Sequence, residues 1–153
     1  MPTPSYKILA VCLGNICRSP IAHGLIEHHA RRLNLHLEVD SAGTIDHHSG
    51  NPPDRRSIAK MRENNIEISE QRSRVFCQAD FDRFDLILAM DTQNLLDLQS
   101  LARNDEERNK VKLVLGDADV PDPYYGGDEG FENVFRLLNR SIPNWLGLSK
   151  TQH

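Results

Sequence analysis

Short apolar runs and longer stretches of helical periodicity alternate along this chain. Tyr6 to Val11 reads as a first strand, and Ile21, Ala22, Leu25, Ile26, Ala30 and Leu33 form one apolar face of a helix behind it. Leu37 to Ser41 reads as a second short strand. Asn51-Pro52-Pro53-Asp54 breaks the pattern and restarts it as a helix from about Asp54 to Glu63, stopped by Asn64-Asn65. Phe84 to Met90 is the most continuous apolar run and predicts a central strand. Asp91 then caps a helix carrying Leu95, Leu96, Leu98 and Leu101. Val111 to Leu115 predicts a fourth strand ended by Gly116, and Phe131, Val134, Phe135 and Leu138 a last helix that Pro143 interrupts. Strands separated by helices imply parallel pairing, right-handed crossovers and helices on both faces. The expected fold is α/β, a three-layer sandwich around a four-stranded parallel sheet. Its ligand site belongs beyond the carboxyl ends of the strands.

Composition narrows this picture without changing it. At 153 residues, 39% of them hydrophobic, the chain suits one domain over 1–153, and no repeat or linker divides it. A net charge of −4 argues against a broad nucleic-acid surface. No apolar run reaches the length of about 18 residues needed to span a membrane, and Met1 to Lys7 has no signal-peptide pattern. Cys12, Cys17 and Cys77 are an odd set that does not read as a disulfide framework, so a reducing cytoplasm is the expected home.

The candidate chemistry follows the first strand. In Cys12-Leu13-Gly14-Asn15-Ile16-Cys17-Arg18-Ser19-Pro20, Gly14 and Asn15 tolerate unusual backbone angles, and Ser19-Pro20 open a helix. Such a turn can aim successive N–H groups and a helix N-terminus at one oxyanion. Five residues separate Cys12 from Arg18, enough for the loop to curl and bring a planar guanidinium to the same anion. A thiol has a reference pKa of about 8.5, which helix N-termini and cations can lower to roughly 3.5–7.5. As a thiolate it can displace an alcohol from a phosphate monoester and hold the phosphoryl group until water removes it. Ser19 is placed to donate to that thiolate, and Asn15 to hold the loop's shape. A proton donor for the departing oxygen is also needed. Asp117, Asp119 and Asp122 share one loop after the fourth strand, and spacing does not choose among them. Pro123 stiffens the chain beside Asp122, and Tyr124-Tyr125 offer apolar walls.

The string from Cys12 to Pro20 resembles the signature loop of the low-molecular-weight protein tyrosine phosphatases. Asp40-Ser41-Ala42-Gly43-Thr44, Gly50 to Asp54, Ile66 to Ser69, Leu88 to Asp91 and Asp122-Pro123-Tyr124-Tyr125-Gly126 extend the likeness over nearly the whole chain. The resemblance implies a phosphatase of phosphotyrosine-containing proteins, working through a cysteinyl-phosphate intermediate without metal or cofactor. Cys12 would be its nucleophile, Arg18 its phosphate-binding group and Asp122 its general acid. Leu13, Gly14, Asn15, Ile16, Cys17 and Ser19 would form the substrate site with His47, Tyr124 and Tyr125. Inorganic phosphate and similar oxyanions would bind there too. Ser41 would support Asn15 from behind, and Cys17 could capture oxidised Cys12, making the enzyme redox-regulated. Ile16 is the residue of tyrosine-directed members, where protein-arginine phosphatases carry threonine. Two positions depart from the family pattern: His47 stands where many relatives have Trp or Tyr, and Gln71 where relatives often have a histidine behind the loop.

Competing constellations are weaker. His28-His29 and His47-His48 lack metal-ligand spacing. A thiol-based reductase on the same scaffold, of the arsenate reductase type, would need a further cysteine pair where this chain has Met90 and Asp97. A non-catalytic phosphopeptide-binding module would have no use for Cys12 and Asp122 together. Asp105-Glu106-Glu107-Arg108 reads as a solvated turn.

Overall fold

The computed structural model describes residues 6–124 and 126–151. Tyr125 and the first five residues therefore lie outside the described residues. Four parallel strands, β1 (Tyr6–Cys12), β2 (Leu37–Gly43), β3 (Leu86–Ala89) and β4 (Val111–Leu113), form one sheet in the order β2-β1-β3-β4. Side chains alternate across β1, so Ile8 and Ala10 face one layer while Leu9 and Val11 face the other, all of them fully buried. The first layer contains α1 (Arg18–Arg32), α2 (Arg55–Glu63) and α6 (Asp128–Thr151), with Ile21, Leu25, Met61, Phe131 and Leu138 against the sheet. On the other side are α3 (Ala79–Arg83), α4 (Thr92–Leu101) and α5 (Asp105–Lys110), with Phe76, Phe81, Phe84 and Leu98 in the core. This is the expected three-layer α/β sandwich.

Several boundaries differ from the sequence expectation for physical reasons. β2 runs two residues further, to Gly43, because its register with β1 continues until Cys12 sits opposite Gly43. β3 and β4 are shorter than their apolar runs, since β4 is an edge strand paired with β3 only over Ile87 to Ala89. The last helix does not stop at Pro143 but continues through it. A proline inside a helix costs about 3 kcal/mol. Ile142 and Leu146, fully buried on either side, each contribute about 1.5–3 kcal/mol, which offsets the missing hydrogen bond. Asp105 to Arg108 is not a solvated turn: Asn104 accepts the Glu107 N–H as an N-cap, and Glu107 is buried in contact with Arg103.

The strand order turns around between β1 and β3: the chain steps from β1 outward to β2, then crosses back to β3. Outside the carboxyl ends of the strands this leaves a crevice, and the loop from Cys12 to Arg18 lies there.

Candidate active site

The Cys12 loop is built by close approach. A Cβ on Gly43 would stand 2.7 Å from Leu13 O and 3.1 Å from Asn15 N, so only glycine lets the end of β2 lie under the loop. Asn15 takes a left-handed φ of 59°, which asparagine tolerates better than other side chains. The backbone N–H of Arg74 donates to Asn15 Oδ1 at 3.1 Å, which fixes the amide orientation. Asn15 Nδ2 then donates to Ser19 Oγ at 2.7 Å, and Ser19 Oγ lies 3.1 Å from Cys12 Sγ. With a lone pair of Ser19 taken by Asn15, its hydroxyl proton is free to point at the sulfur. Ser73 Oγ donates to Gly14 O at 3.0 Å, and Ser57 Oγ to Cys17 O at 3.2 Å. The Asp54 N–H donates to Ile16 O at 2.8 Å. The N–H groups of Thr44 and Ile45 donate to Cys12 O and Leu13 O at 3.0 and 3.1 Å, so five carbonyls of the loop are held from outside it.

Arg18 is 3% exposed. Its Nη1 donates to Asp91 Oδ2 at 2.8 Å and to Val120 O at 2.9 Å, which uses both protons of that nitrogen. The Nε–H and the Nη2 protons remain as a fork for an oxyanion. Burial opposes the charge of Arg18, but Cys12, the Asp91 hydrogen bond and Asp122 outweigh it and hold the guanidinium protonated. Asp91 is bifunctional: Oδ1 caps α4 by accepting from Asn94 N, and Oδ2 orients Arg18. The sequence predicts only the cap. Its position at the carboxyl end of β3 was the signal for the second role.

Asp122 lies across the cleft with its side chain 46% exposed and Oδ2 4.0 Å from Arg18 Nη2. Its Oδ1 accepts from Tyr124 N at 3.0 Å. The other two acids of that loop are elsewhere: Asp119 accepts from the backbone and hydroxyl of Thr92, and Asp117 is exposed away from the cleft.

The cleft itself holds about 260 Å³. Cys12, Leu13, Gly14, Ile16, Cys17 and Arg18 line its floor, with Ile45, His47, His48, Asp122 and Tyr124 around them. Most expected site residues are thus together. Asn15 and Ser19 are a correction: they sit behind the floor, 2% and 0% exposed, bonded to each other and not on the wall. Ser41 is another, because its Oγ pairs with His23 Nδ1 at 3.1 Å, while Asn15 is held by Ser19 and Arg74. Gln71 Nε2 donates to Pro20 O at 3.2 Å, at the start of α1. His47 meets His48 edge to face, and the His48 ring packs over Gly14. Burial, then Asp54, Cys12 and Asp122, push the Cys17 thiol up to about 12, so it is a thiol at neutral pH. Among the described residues, no three His, Cys, Asp or Glu side chains converge as a metal site, and no helix is long and apolar enough to cross a membrane.

A buried thiol, an arginine with a free fork and a carboxyl facing both are the working parts of a cysteine-dependent phosphatase. Comparison with known proteins narrows that class. The family model for low molecular weight phosphotyrosine protein phosphatase matches residues 7–152, and the chain belongs to that family. The human low molecular weight phosphotyrosine protein phosphatase is 41% identical over 149 residues, covering 92% of this chain and 93% of the human one. YfkJ of Bacillus subtilis, a low molecular weight protein-tyrosine-phosphatase, is 38% identical over 92% of this chain and 93% of its own. A protein tyrosine phosphatase of Entamoeba histolytica, solved with Hepes in the active site, superposes with a TM-score of 0.91 at 32% identity, covering 97% of this chain and 100% of that one. As a member of the family the protein is a protein-tyrosine-phosphatase, hydrolysing phosphotyrosine monoesters through a cysteinyl-phosphate intermediate.

Proposed function

We propose that Cys12 is the nucleophile of this hydrolysis, Arg18 the group that binds the phosphoryl oxygens and Asp122 the general acid. The Cys12 thiolate attacks phosphorus in line. As the S–P bond forms, the P–O bond to tyrosine breaks, and the phenolic oxygen takes the proton of Asp122. Water then attacks the phosphocysteine with the Asp122 carboxylate as base, which releases phosphate and restores the thiolate. Ser19 donates to the sulfur in both steps, and the fork of Arg18 follows the equatorial oxygens. What supports this assignment is that Cys12, Arg18 and Asp122 line one cleft at the carboxyl edge of the sheet. The remaining floor residues Leu13, Gly14, Ile16 and Cys17, with His47 and Tyr124, would seat the aryl ring.

The same proposal treats 1–153 as one phosphatase domain acting on cytoplasmic phosphotyrosine proteins. It also makes the enzyme reversibly sensitive to peroxide. Peroxide would convert the Cys12 thiolate to a sulfenic acid, and Cys17 would displace water from it to form a disulfide. In support, both sulfurs line the cleft, and Cys12 is close enough to help push the Cys17 thiol up.

The test is a panel of phosphotyrosine, phosphoserine, phosphoarginine and arsenate with wild type, Cys12→Ser and Ile16→Thr. Wild type should prefer phosphotyrosine, and Cys12→Ser should be inactive throughout. Ile16→Thr should raise phosphoarginine activity relative to phosphotyrosine. A wild type that prefers phosphoarginine or reduces arsenate would refute the assignment.

A further inference from the structure

We propose that Arg56, on the first turn of α2, is a positioning residue that sets the Asp122 loop over the cleft; the inference rests on Asp122 being the general acid. The segment between β4 and α6 has no regular structure around Asp122. Before Asp122 it is tied to the sheet, because Val120 N donates to Met90 O and Val120 O accepts from Arg18. After Asp122 the tie is Arg56. Its Nη2 donates to Tyr124 O at 2.9 Å and its Nη1 to Gly126 O at 3.2 Å. Tyr124 in turn donates its N–H to Asp122 Oδ1, so the residue that Arg56 holds by the carbonyl orients the acid by its amide.

Arg56 is itself fixed. Its Nε and a second proton of Nη2 pair with the two oxygens of Asp54, both at 3.0 Å. Its guanidinium carbon lies 4.6 Å from the centroid of the Phe131 ring and 5.7 Å from that of Tyr124. Asp54 is the residue whose N–H holds Ile16 O in the Cys12 loop. One strut therefore runs from the nucleophile's loop through Asp54 and Arg56 to the acid's loop, and it fixes the separation of the two reacting groups. Only a planar fork with several donors can grip a carboxylate and two carbonyls at once; a lysine ammonium cannot.

The experiment compares kcat/KM for phenyl phosphate, a poor leaving group, with 4-nitrophenyl phosphate, a good one, in Arg56→Met, Arg56→Lys and Asp122→Ala. Inorganic phosphate inhibition serves as the control for the Cys12 loop. Arg56→Met should lose roughly 10-fold on phenyl phosphate and less than about 3-fold on the nitrophenyl ester, since only a basic leaving oxygen needs the proton. Arg56→Lys should fall the same way, and the phosphate inhibition constant should stay within about 2-fold. In an Asp122→Ala background Arg56→Met should add almost nothing, because the group it positions is gone. Equal losses on the two esters, losses that multiply with Asp122→Ala, or weakened phosphate inhibition in both Arg56 variants would overturn the proposal. If Asp122→Ala alone is insensitive to the leaving group, Asp122 is not the acid and both readings fall; if it is sensitive while Arg56→Met is not, only Arg56 falls.

Discussion

The two loops that meet at the cleft are built in opposite ways. The Cys12 loop is buried, and its carbonyls and side chains are bonded from β2, α2 and the 71–75 segment. The Asp122 loop is exposed on most of its residues and held at a few points. The difference follows from their tasks. A nucleophile and its oxyanion donors gain from a fixed geometry that needs no rearrangement during reaction. An acid that must admit a protein-borne aryl ring and then a water needs an open side. The nucleophile's loop should therefore lose function abruptly when altered, and the acid's loop by degrees.

The abrupt case is the largest effect. Cys12→Ser should abolish turnover while phosphate still binds, since the loop amides and Arg18 remain. Arg18→Ala should lose both, because it removes the fork and leaves Asp91 in a part-buried position without its partner. Kinetics with inorganic phosphate as a competing ligand separate the two. Measurable turnover in the serine variant would exclude the covalent route.

Asp122→Ala comes next. Acid catalysis is typically worth about 10²–10⁴ in rate, and that loss should appear on a phosphotyrosine peptide and shrink on a nitrophenyl ester. Asp117→Ala should show no such dependence, and Asp119→Ala, which releases the loop from Thr92, only a small one of about 2-fold. A leaving-group-independent loss for Asp122→Ala would mean that the exposed loop binds substrate and does not protonate it.

Much of the Cys12 loop was legible in the sequence because it is contiguous: nucleophile, turn residues, arginine and helix start occur within nine positions. The Asp122 loop was legible only through its resemblance to the family, since Asp117, Asp119 and Asp122 look alike by spacing. Only the fold turns Asp119 toward Thr92 and Asp122 toward the cleft. The supports were invisible for the same reason. Asp91 reaches Arg18 across 73 positions and Arg74 reaches Asn15 across 59, and such contacts leave no periodic trace. Pro143 differs for another reason: local backbone chemistry predicts a break there, and the burial of Ile142 and Leu146 overrides it.

Cys17 tests the burial of the nucleophile's loop through pH. Its thiol is raised from an ordinary value of 9.0 to about 12, chiefly by burial. A raised folded-state value means the stabilisation is complete below pH 9 and is shed as pH climbs toward 12. At about 1.36 kcal/mol per unit, the upper bound is roughly 4 kcal/mol. Wild type should therefore lose stability relative to Cys17→Ala between pH 9 and 12, measured by denaturant unfolding. Parallel curves would place Cys17 in contact with water and weaken the contrast between the loops.

The smallest effects come from deleting one hydroxyl contact in each loop. Ser73 is buried and donates to Gly14 O, so Ser73→Ala leaves a loop carbonyl short of a partner, a change that typically costs about 1–3 kcal/mol. Thr92 is exposed, and in Thr92→Val its N–H still donates to Asp119, so the stability change should be near zero. The activities should divide differently. Ser73→Ala distorts the oxyanion cradle, which every substrate uses, so it should slow phosphotyrosine peptide and nitrophenyl phosphate by the same factor. Thr92→Val loosens only the acid's loop and should slow the peptide alone, by roughly 2-fold, consistent with one solvent-exposed hydrogen bond. Thermal melts with kcat/KM on both substrates resolve the two patterns. If Ser73→Ala acts on the peptide alone, or Thr92→Val on both substrates equally, the loops are not the independent rigid and yielding halves that their bonding implies.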